Sequence, residues 1–503
     1  MKSRVHFAAF QLALACCCSD PAAVLGQSER NTPFVVPHAL AKSEKVYVCE
    51  RAGWADVVAR VPGIGEARIE RVPAFDRQGR PAAGLLSAWT TDEWLFGWLG
   101  SDTAVLRMPG DQRLAQWGRS HFAPLVEKGL YINPFKGRQE ESSHSRFDAG
   151  GAIMASPPIE GYPHGRLIVA RDTSDEIKDF LRGQGVQVAP EGKLIELDTA
   201  WLKVGHVDEL VNFVPASTPR GFLAVVPDPK AGLDLIRSVP PQRAIFYSAG
   251  SAEHTGAVVD STIRGIETAR PVPAGKWTFV RIWKGKGAGQ VAKVRAVKGR
   301  HFTIDGAWDT RDFSDARSAM LGLVRAIAGR CETMPIWFDR PDKTSRFLLV
   351  EGSQMWIDST GEEFPAIMAA GEMAGDNVLA RTNRIVAARC LRADDAVRQS
   401  LGIEADDAIR LPALFASEGP QEAGACPLLP SLVNLQTFNR EIVLLRPFGP
   451  RRAPADDESD VILDAAREAL TDVEGRLHFL NGWDALHRNN GGPRCGMNVW
   501  RRR

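Results

Sequence analysis

The segment from Trp201 to Ala216 places the strongest constraint on this chain. It reads Trp-Leu-Lys-Val-Gly-His-Val-Asp-Glu-Leu-Val-Asn-Phe-Val-Pro-Ala, a pattern that predicts a β-strand. Alternate residues of a strand point to the same face, so His206 and Asp208 are expected on one side, roughly 6–7 Å apart. A carboxylate can bind a planar cation and a histidine can move protons. The pair therefore suits a site for a cationic substrate, although an ordinary surface pair on a half-buried strand is an equally good interpretation.

The composition is typical of a soluble globular protein with two or three domains. The chain has 503 residues, of which 44% are hydrophobic and 24% are charged. A formal net charge of +1 excludes the overall basic character of a nucleic-acid-binding protein, so no nucleic acid partner is expected. No Cys-x-x-Cys pair or cluster of histidine and cysteine has zinc spacing, and we predict no structural metal.

The N-terminus, residues 1–26, reads as a signal peptide. Basic residues at Met1–Arg4 precede an apolar run, Val5–Cys18, that is too short and too interrupted for a membrane span. We expect a secreted protein. A lipid anchor at the cell surface is the alternative, because Ala13–Cys16 faintly resembles a lipoprotein site. Residues 27–45 read as a spacer, and no later stretch is apolar enough to span a bilayer.

Strand-like and helix-like segments alternate from residue 46 to about residue 250, which predicts an α/β fold. The spacing of apolar residues predicts helices over Thr173–Gly183 and Asn377–Leu401, the second one capped by Gly402.

Three further segments carry residues with chemical potential. Trp89 and Asp92 lie in Trp-Thr-Thr-Asp-Glu, where the simpler interpretation is a core strand with a solvated turn. Arg113 follows the strand-like segment at 105–108, and a solvated arginine is as good an interpretation. Cys495 lies in Cys-Gly-Met-Asn-Val near the C-terminus, where a cysteine taken alone is more often structural.

Together, these segments resemble the catalytic segments of the protein-arginine deiminases, and they occur in that family's order. Further stretches with the same resemblance are Phe147–Val169, Leu432–Leu435 and Arg446–Pro450. The resemblance covers about residues 46–250 and 376–503. It implies a pentein α/β propeller of five pseudosymmetric ββαβ units, and hydrolysis of peptidyl arginine to peptidyl citrulline and ammonia. Arginine-containing peptides or proteins would be the partners.

The resemblance also implies a role for each catalytic residue. Asp92 and Asp208 would hold the guanidinium in its plane by paired hydrogen bonds. Cys495 would attack the central carbon to form a covalent thiouronium, and His206 would protonate the departing ammonia and then activate water. No metal or organic cofactor enters this scheme. The substrate-binding residues that the resemblance implies are Trp89 and Arg113.

Calcium is where this chain departs from the family. Animal members bind an activating calcium through acidic side chains near the site. Leu95 and Met154 occupy two such positions, and neither offers the oxygen that calcium requires. Glu93 and Asp111 remain, which are too few for a cage. We therefore expect activity without calcium, while residual calcium binding stays open.

Residues 251–375 read as an inserted β-rich module that the animal deiminases lack. The stretch from Lys276 to Arg300 contains several basic residues and no acid. It is interpreted as a solvated face or, alternatively, as a surface for an anionic partner. Its glycine-rich part lacks the Gly-Lys-Ser/Thr ending of a phosphate-binding loop, so nucleotide binding is rejected.

Three alternatives to a peptidyl-arginine deiminase stay open from the sequence. The first is a deiminase or hydrolase of free arginine or another small guanidine. The second is a cysteine hydrolase of peptide bonds that uses Cys495 and His206. The third is a non-catalytic binding protein whose insertion does the binding.

Overall fold

The computed structural model describes residues 32–50, 53–73, 89–109, 112–135, 146–239, 244–246, 265–268, 277–284, 291–299, 301–305, 331–337, 341–351, 367–375, 377–417, 424–450, 460–482 and 485–503. The predicted signal peptide, residues 27–31 of the predicted spacer and Asp111 lie outside these ranges.

Five sheets of the described part share one pairing pattern. In each sheet an entering strand runs antiparallel to a middle strand, and the middle strand is parallel to a third strand. In that order the strands are Met497–Arg501, Ser43–Cys49 and Ile69–Val72; Trp94–Leu99, Asp102–Arg107 and Tyr131–Ile132; Ile153–Ala155, Leu167–Ala170 and Ile195–Leu197; Asn212–Pro215, Phe222–Asp228 and Ala408–Pro412; Gln436–Phe438, Glu441–Leu445 and Arg476–Leu480. The second sheet also carries Phe34–Val35 beside its entering strand.

Helices connect and cover these sheets, so the architecture is α/β. The α-helices are Trp54–Ala59, Thr90–Glu93, Gln112–His121, Ala123–Glu127, Asp175–Gln184, Pro229–Ser238, Ala370–Gly375, Asn377–Leu401, Val461–Ala469 and Pro493–Gly496. The 3-10 helices are Glu66–Arg68, Arg146–Asp148, Gly150–Ala152, Val207–Glu209, Ala405–Asp407 and His487–Asn489. None of the helices among the described residues combines the length and apolar character that crossing a bilayer would need.

Both helices predicted from apolar spacing are present. The helix Asn377–Leu401 has the predicted bounds, and Gly402 follows it with a φ of 63°. The earlier helix is Asp175–Gln184 rather than Thr173–Gly183, and it ends at Gly185, whose φ is 75°. A glycine tolerates this left-handed conformation without the steric cost that a Cβ would add.

The chain terminus is held firmly in the first sheet. Its last strand, Met497–Arg501, pairs with Ser43–Cys49. Arg501 is only 5% exposed, and its guanidinium donates to Ala41, Ser43 and Thr437. A buried guanidinium that is paired in this way resists displacement, because breaking the contacts would leave a charge unsatisfied. The terminal strand therefore holds the short helix before it, which carries Cys495, in a fixed place.

The predicted strand through His206 and Asp208 was wrong. Residues Val207–Glu209 form a 3-10 turn, and the strand begins only at Asn212. One side-chain oxygen of Glu209 accepts hydrogen bonds from the N–H groups of Gly205 and His206, at 3.1 and 3.0 Å. Successive N–H groups of a strand point in opposite directions, so a single carboxylate that bonds both of them favours a turn. Gly205, with a φ of 88°, supplies the bend.

Six strands between residues 265 and 351 form a closed barrel. Around the barrel they follow the order Gly265–Thr268, His301–Asp305, Val291–Lys298, Trp277–Lys284, Pro341–Glu351 and Cys331–Trp337. This barrel lies within the segment predicted as a β-rich insertion, while the exact bounds of that module stay a prediction. Two further strand pairs are Ala244–Phe246 with Ile367–Ala369, and Phe415–Ala416 with Cys426–Pro427.

Candidate active site

Each of the five similar sheets is entered through a short turn, and these turns lie at equivalent ends of the sheets. Each turn lies just before the entering strand of its sheet, and two residues separate Val207–Glu209 from its strand. The turns are Pro493–Gly496, Thr90–Glu93, Gly150–Ala152, Val207–Glu209 and residues 431–435. The four residues predicted to be catalytic all lie in or next to these turns. The repeated arrangement of the sheets thus explains how residues from distant parts of the chain reach one place.

The structure brings the four predicted catalytic residues together. The Nδ1 atom of His206 lies 3.8 Å from Oδ1 of Asp92. A ring nitrogen of His206, a carboxylate oxygen of Asp208 and the Sγ atom of Cys495 all lie within 4.8 Å of one another. Side chains of these three types can also bind divalent metal ions. The sequence predicts no metal here, and the described residues leave that prediction untested.

Glycines permit this close approach. A Cβ atom added to Gly151 would overlap Nδ1 of His206 and lie 3.1 Å from an oxygen of Asp208. A Cβ atom added to Gly150 would overlap the carbonyl of Thr91. The glycine pair therefore lets the turn before the third sheet pack against the turns that carry Asp92 and His206. Both glycines lie in the stretch Phe147–Val169 that resembles the family, and the local pattern alone gives no sign of this packing role.

His206 has a defined hydrogen-bonding direction. Its Nε2 atom lies 3.1 Å from the carbonyl oxygen of Arg146. A carbonyl can only accept, so Nε2 carries the hydrogen and Nδ1 faces the acids. The side chain is 2% exposed, and this burial lowers the pKa of His206, against the opposing effect of the Asp208 charge. At neutral pH the imidazole is therefore neutral, with Nδ1 ready to accept a proton.

Three buried carboxyl groups surround this histidine. Burial raises the pKa of Asp92 to about 7, that of Asp208 to about 6 and that of Glu209 to about 8. Among the described residues, Oδ1 of Asp92 and both oxygens of Asp208 lack a hydrogen-bond partner of normal geometry. Buried acceptors without partners are rare in folded proteins. The cluster therefore presents several unused acceptors that suit a ligand with several N–H donors.

The thiol of Cys495 lies against these acids. Its pKa is raised well above the ordinary value, first by burial and then by the charges of Asp208 and Asp92. The side-chain amide of Asn434 donates to Sγ over 3.5 Å. Asn434 was missed as a site residue, although its segment, Leu432–Leu435, was part of the resemblance. The thiol is therefore neutral until a cation offsets the neighbouring negative charge.

Of the two predicted substrate-binding residues, the structure describes the side chain of Trp89 but not that of Arg113. Trp89 precedes the helix Thr90–Glu93, and its ring packs over Gly491 in the loop that leads to Cys495, where an added Cβ would lie 3.0 Å from Cζ2. The structure thus packs Trp89 against the loop that precedes Cys495, and its stacking on a substrate stays a prediction. Arg113 lies in the helix Gln112–His121, but its side chain is outside what the structure describes.

The positions discussed for calcium are buried. Leu95 and Met154 are 6% and 1% exposed, and each packs in a hydrophobic cluster. Glu93 is 5% exposed, while Asp111 lies outside the described residues. Neither Leu95 nor Met154 offers an oxygen to a hard cation.

Comparison with known proteins gives a family match over well over half of the chain. The model of the protein-arginine deiminase (PAD) family matches residues 28–258 and 347–503. The interval between these two ranges contains most of the barrel strands.

Curated relatives and solved structures give further similarities. Mouse protein-arginine deiminase type-4 is 36% identical over 234 residues, which are 42% of this chain and 32% of that protein. The rat type-3 enzyme is 37% identical over 218 residues, which are 40% of this chain and 31% of that protein. The chain thus spans about a third of the length of these curated relatives. Among solved structures, the agmatine deiminase of C. jejuni is similar at 8% identity with a TM-score of 0.39, covering 94% of this chain and 97% of that one.

Proposed function

The chain belongs to the protein-arginine deiminase family, and we propose that it hydrolyses peptidyl arginine to peptidyl citrulline and ammonia. One observation carries this proposal: four residues that are distant in sequence form one buried cluster. Nδ1 of His206 lies 3.8 Å from Oδ1 of Asp92, and atoms of His206, Asp208 and Cys495 lie within 4.8 Å of one another. These are the residue types that deimination needs. The chain aligns with only part of its curated relatives, so the activity requires a direct test.

The first step is binding of the arginine side chain. A guanidinium is planar, permanently charged and carries five N–H donors. Oδ1 of Asp92 and Oδ1 of Asp208 lack a hydrogen-bond partner of normal geometry among the described residues, and hydrogen bonds from a guanidinium would satisfy them. Asp92 keeps 20% of its side chain exposed whereas Asp208 keeps none. The substrate therefore enters from the side of Asp92 and reaches Asp208 at the back of the site.

The second step forms the covalent intermediate. The bound cation offsets the two carboxylates whose charges, after burial, hold the thiol of Cys495 neutral. The thiol proton then moves to Nδ1 of His206, and Sγ attacks the guanidinium carbon. His206 returns this proton to the departing nitrogen, so the carbon–nitrogen bond breaks and ammonia leaves.

The last step hydrolyses the thiouronium. A water molecule attacks the same carbon while Nδ1 of His206 accepts one of its protons. The carbon–sulfur bond breaks, and the sulfur recovers a proton from the imidazole. The second proton of the water is lost to solvent, where it converts the released ammonia to ammonium. The product is the neutral urea of citrulline, which no longer pairs with Asp92 and Asp208 and is free to leave. No metal takes part in these steps.

The decisive experiment is incubation of the purified protein with a blocked arginine peptide. We expect the mass gain that accompanies replacement of an imine nitrogen by oxygen, together with release of ammonia. Cys495→Ala should abolish product, whereas Cys390→Ala, which removes another buried free thiol, should not. Cleavage of the peptide bond instead would favour the cysteine-hydrolase alternative, and a wild-type protein that is inert on all guanidines would overturn the proposal.

The same assay addresses the alternative of a small-molecule enzyme. Rates on free arginine, agmatine and the blocked peptide are compared at equal concentration. We expect the blocked peptide to be preferred, because the sequence resembles the peptidyl class. A clear preference for a free guanidine would assign the chain to that alternative.

We propose further that the five similar sheets are the repeats of a pentein α/β propeller. Two features support this: the shared antiparallel-then-parallel pairing, and the position of a site turn before each entering strand. An experimental structure that lacks a fivefold relation between the sheets would overturn it.

Independence from calcium is also part of the proposal. The buried apolar side chains of Leu95 and Met154 support it, since the resemblance places calcium-binding acids at those positions in animal members. Secretion is proposed from the pattern of residues 1–26, and recovery of the mature chain from the culture medium tests it. An anionic partner for the insertion rests only on the basic run Lys276–Arg300 and is tested by salt-dependent binding of the full chain to heparin.

A further inference from the structure

We propose that Arg494 is a positioning residue of this site: its guanidinium is the built-in counter-ion of Asp208 and keeps that carboxylate charged before an arginine side chain binds. The inference rests on the proposed function, because it assigns a role at the same site. Neither the sequence analysis nor the family resemblance gave Arg494 a role.

The main chain of Arg494 is held from two sides. Its N–H donates to Oδ1 of Asn434 over 3.1 Å, and its carbonyl accepts from the hydroxyl of Thr91 over 2.5 Å. Asn434 lies in the turn before the fifth sheet, and Thr91 lies in the turn before the second sheet. The Cα position of Arg494 is thus fixed between two of the turns that build the site, directly before Cys495.

The side chain of Arg494 points at Asp208 from within the protein. Nε lies 3.5 Å from Oδ2 of Asp208, and the Arg494 side chain is only 13% exposed. Nε has no hydrogen-bond partner of normal geometry among the described residues, so the contact with Asp208 is an ionic one. An arginine charge buried to this extent needs a nearby anion, and Asp208, with no exposed side-chain surface, needs a nearby cation.

The other groups that face Asp208 cannot serve as its counter-ion. Asp92, on the turn before the second sheet, adds a like charge. Glu209, from the same turn as Asp208, has its pKa raised to about 8 by burial and carries no positive charge in either protonation state. Cys495 is neutral in this environment. Asn434 offers a neutral hydrogen-bond donor. A charged His206 would lower the pKa of Asp208 more than Arg494 does, but burial lowers the pKa of His206 itself, so this charge is lost at neutral pH. Arg494 is therefore the one permanent cation among the described groups that interact with Asp208.

This arrangement solves a problem that the site creates. A carboxylate that must bind a guanidinium has to be ionised, yet complete burial favours its neutral form. A fixed positive charge on one side of the carboxylate offsets that burial. The ion pair of Arg494 is made with Oδ2, and Oδ1 has no hydrogen-bond partner of normal geometry among the described residues, so Oδ1 stays available to the arriving substrate.

The test is the pH profile of kcat/KM for a blocked arginine peptide in three variants. Arg494→Gln removes the charge, Arg494→Lys retains it, and Arg502→Gln removes an exposed arginine that pairs with Glu44 as a matched control. Loss of an opposite charge at this distance moves a carboxyl pKa by roughly one unit or more. We expect the acidic limb of Arg494→Gln to move upward by about one pH unit, so that kcat/KM on that limb falls about 10-fold.

A purely structural role would give a different pattern. If Arg494 had only a structural role, its loss would lower kcat/KM by the same factor at every pH, and Arg494→Lys would not restore the acidic limb of the profile. In the proposed role, the loss lies in KM on the acidic side and shrinks at higher pH. Arg494→Lys recovers most of the wild-type profile, and Arg502→Gln matches it throughout. A uniform loss, or an unchanged acidic limb, overturns the inference.

A second measurement does not depend on catalysis. The carboxyl carbon of Asp208, labelled with ¹³C and assigned by its disappearance in Asp208→Asn, is titrated by NMR in the wild type and in Arg494→Gln. We expect the midpoint to rise in the variant. If the wild type shows no deiminase activity but the midpoint rises, the function fails and the counter-ion role stands. Identical midpoints overturn the counter-ion role even if the enzyme is active.

Discussion

The side-chain amide of Asn434 donates a hydrogen bond to the sulfur of Cys495 over 3.5 Å, although the two residues lie in turns that precede different sheets. Its Oδ1 accepts the N–H of Arg494 at 3.1 Å, and the side chain is 2% exposed. Gly492 makes the contact possible, because an added Cβ would lie 2.5 Å from Oδ1 of Asn434. A single amide thus holds the helix Pro493–Gly496 in place and offers a hydrogen to the sulfur of Cys495.

Asn434→Asp separates these two roles of the amide. The aspartate keeps the acceptor for the Arg494 N–H but loses the donor to sulfur and adds negative charge beside it. We expect kcat to fall by roughly 10–100-fold with little change in KM, as for other hydrogen-bond donors that stabilise a developing charge. Asn434→Ala should be at least as impaired. A kcat near the wild-type value for Asn434→Asp would show that Asn434 acts only by holding the helix Pro493–Gly496 in place.

Gly151→Ala tests the close approach of two site turns. The added methyl group would overlap Nδ1 of His206, so the imidazole must turn away from the acids, and activity should fall by roughly 100-fold or more. Gly183→Ala is the matched control, because an added Cβ there meets nothing within 4 Å. That substitution should leave activity unchanged and stabilise its helix slightly. Full activity of Gly151→Ala would contradict the role of His206.

Alkylation by iodoacetamide reports the protonation of Cys495. Burial, then the charges of Asp208 and Asp92, raise the pKa of its thiol, so the thiolate fraction is small at neutral pH. Asp208→Asn removes one charge and should increase the alkylation rate several-fold, measured on the peptide that contains Cys495. Asp198→Asn removes an exposed carboxylate and should have no effect. A slower reaction in Asp208→Asn would contradict this electrostatic account.

Glu209 makes stability depend on pH. Burial raises its pKa from 4.5 to about 8, so between these values the folded state binds more protons than the unfolded state. Stability therefore falls as pH rises through that window. Glu209→Gln keeps an acceptor for the N–H groups of Gly205 and His206 but cannot ionise. The free energy of unfolding, measured in denaturant from acid to mildly alkaline pH, should depend less on pH in Glu209→Gln; a steeper dependence would contradict the burial of an ionisable acid.

Calcium should not be needed for turnover. Leu95 and Met154 are buried and cannot supply oxygen ligands. We expect the same citrulline production in a chelator as in excess calcium. A rise in the melting temperature on adding calcium would reveal residual binding without a catalytic requirement. Loss of activity in the chelator, restored by calcium, would contradict the proposal.

Local sequence carried the residue types of the site but not their arrangement. Asp92, His206, Asp208 and Cys495 stood out because each lies in a distinctive stretch of several residues. The long helix Asn377–Leu401 was predicted with its observed bounds, since its apolar spacing is a property of the segment itself. The strand expected at His206 was wrong, because the contact between Glu209 and the N–H groups of Gly205 and His206 overrides the local pattern.

The family, the chemical groups of the cluster and the helices with strong periodicity can be read from the order of the residues. The meeting of the five entry turns, the contact of Asn434 with the sulfur and the approach of Arg494 to Asp208 appear only in the folded protein. These contacts join segments that are far apart along the chain, and no local pattern encodes them. The same holds for protonation, because the pKa values of the buried acids and the thiol follow from burial and neighbouring charge, which exist only after the sheets have assembled.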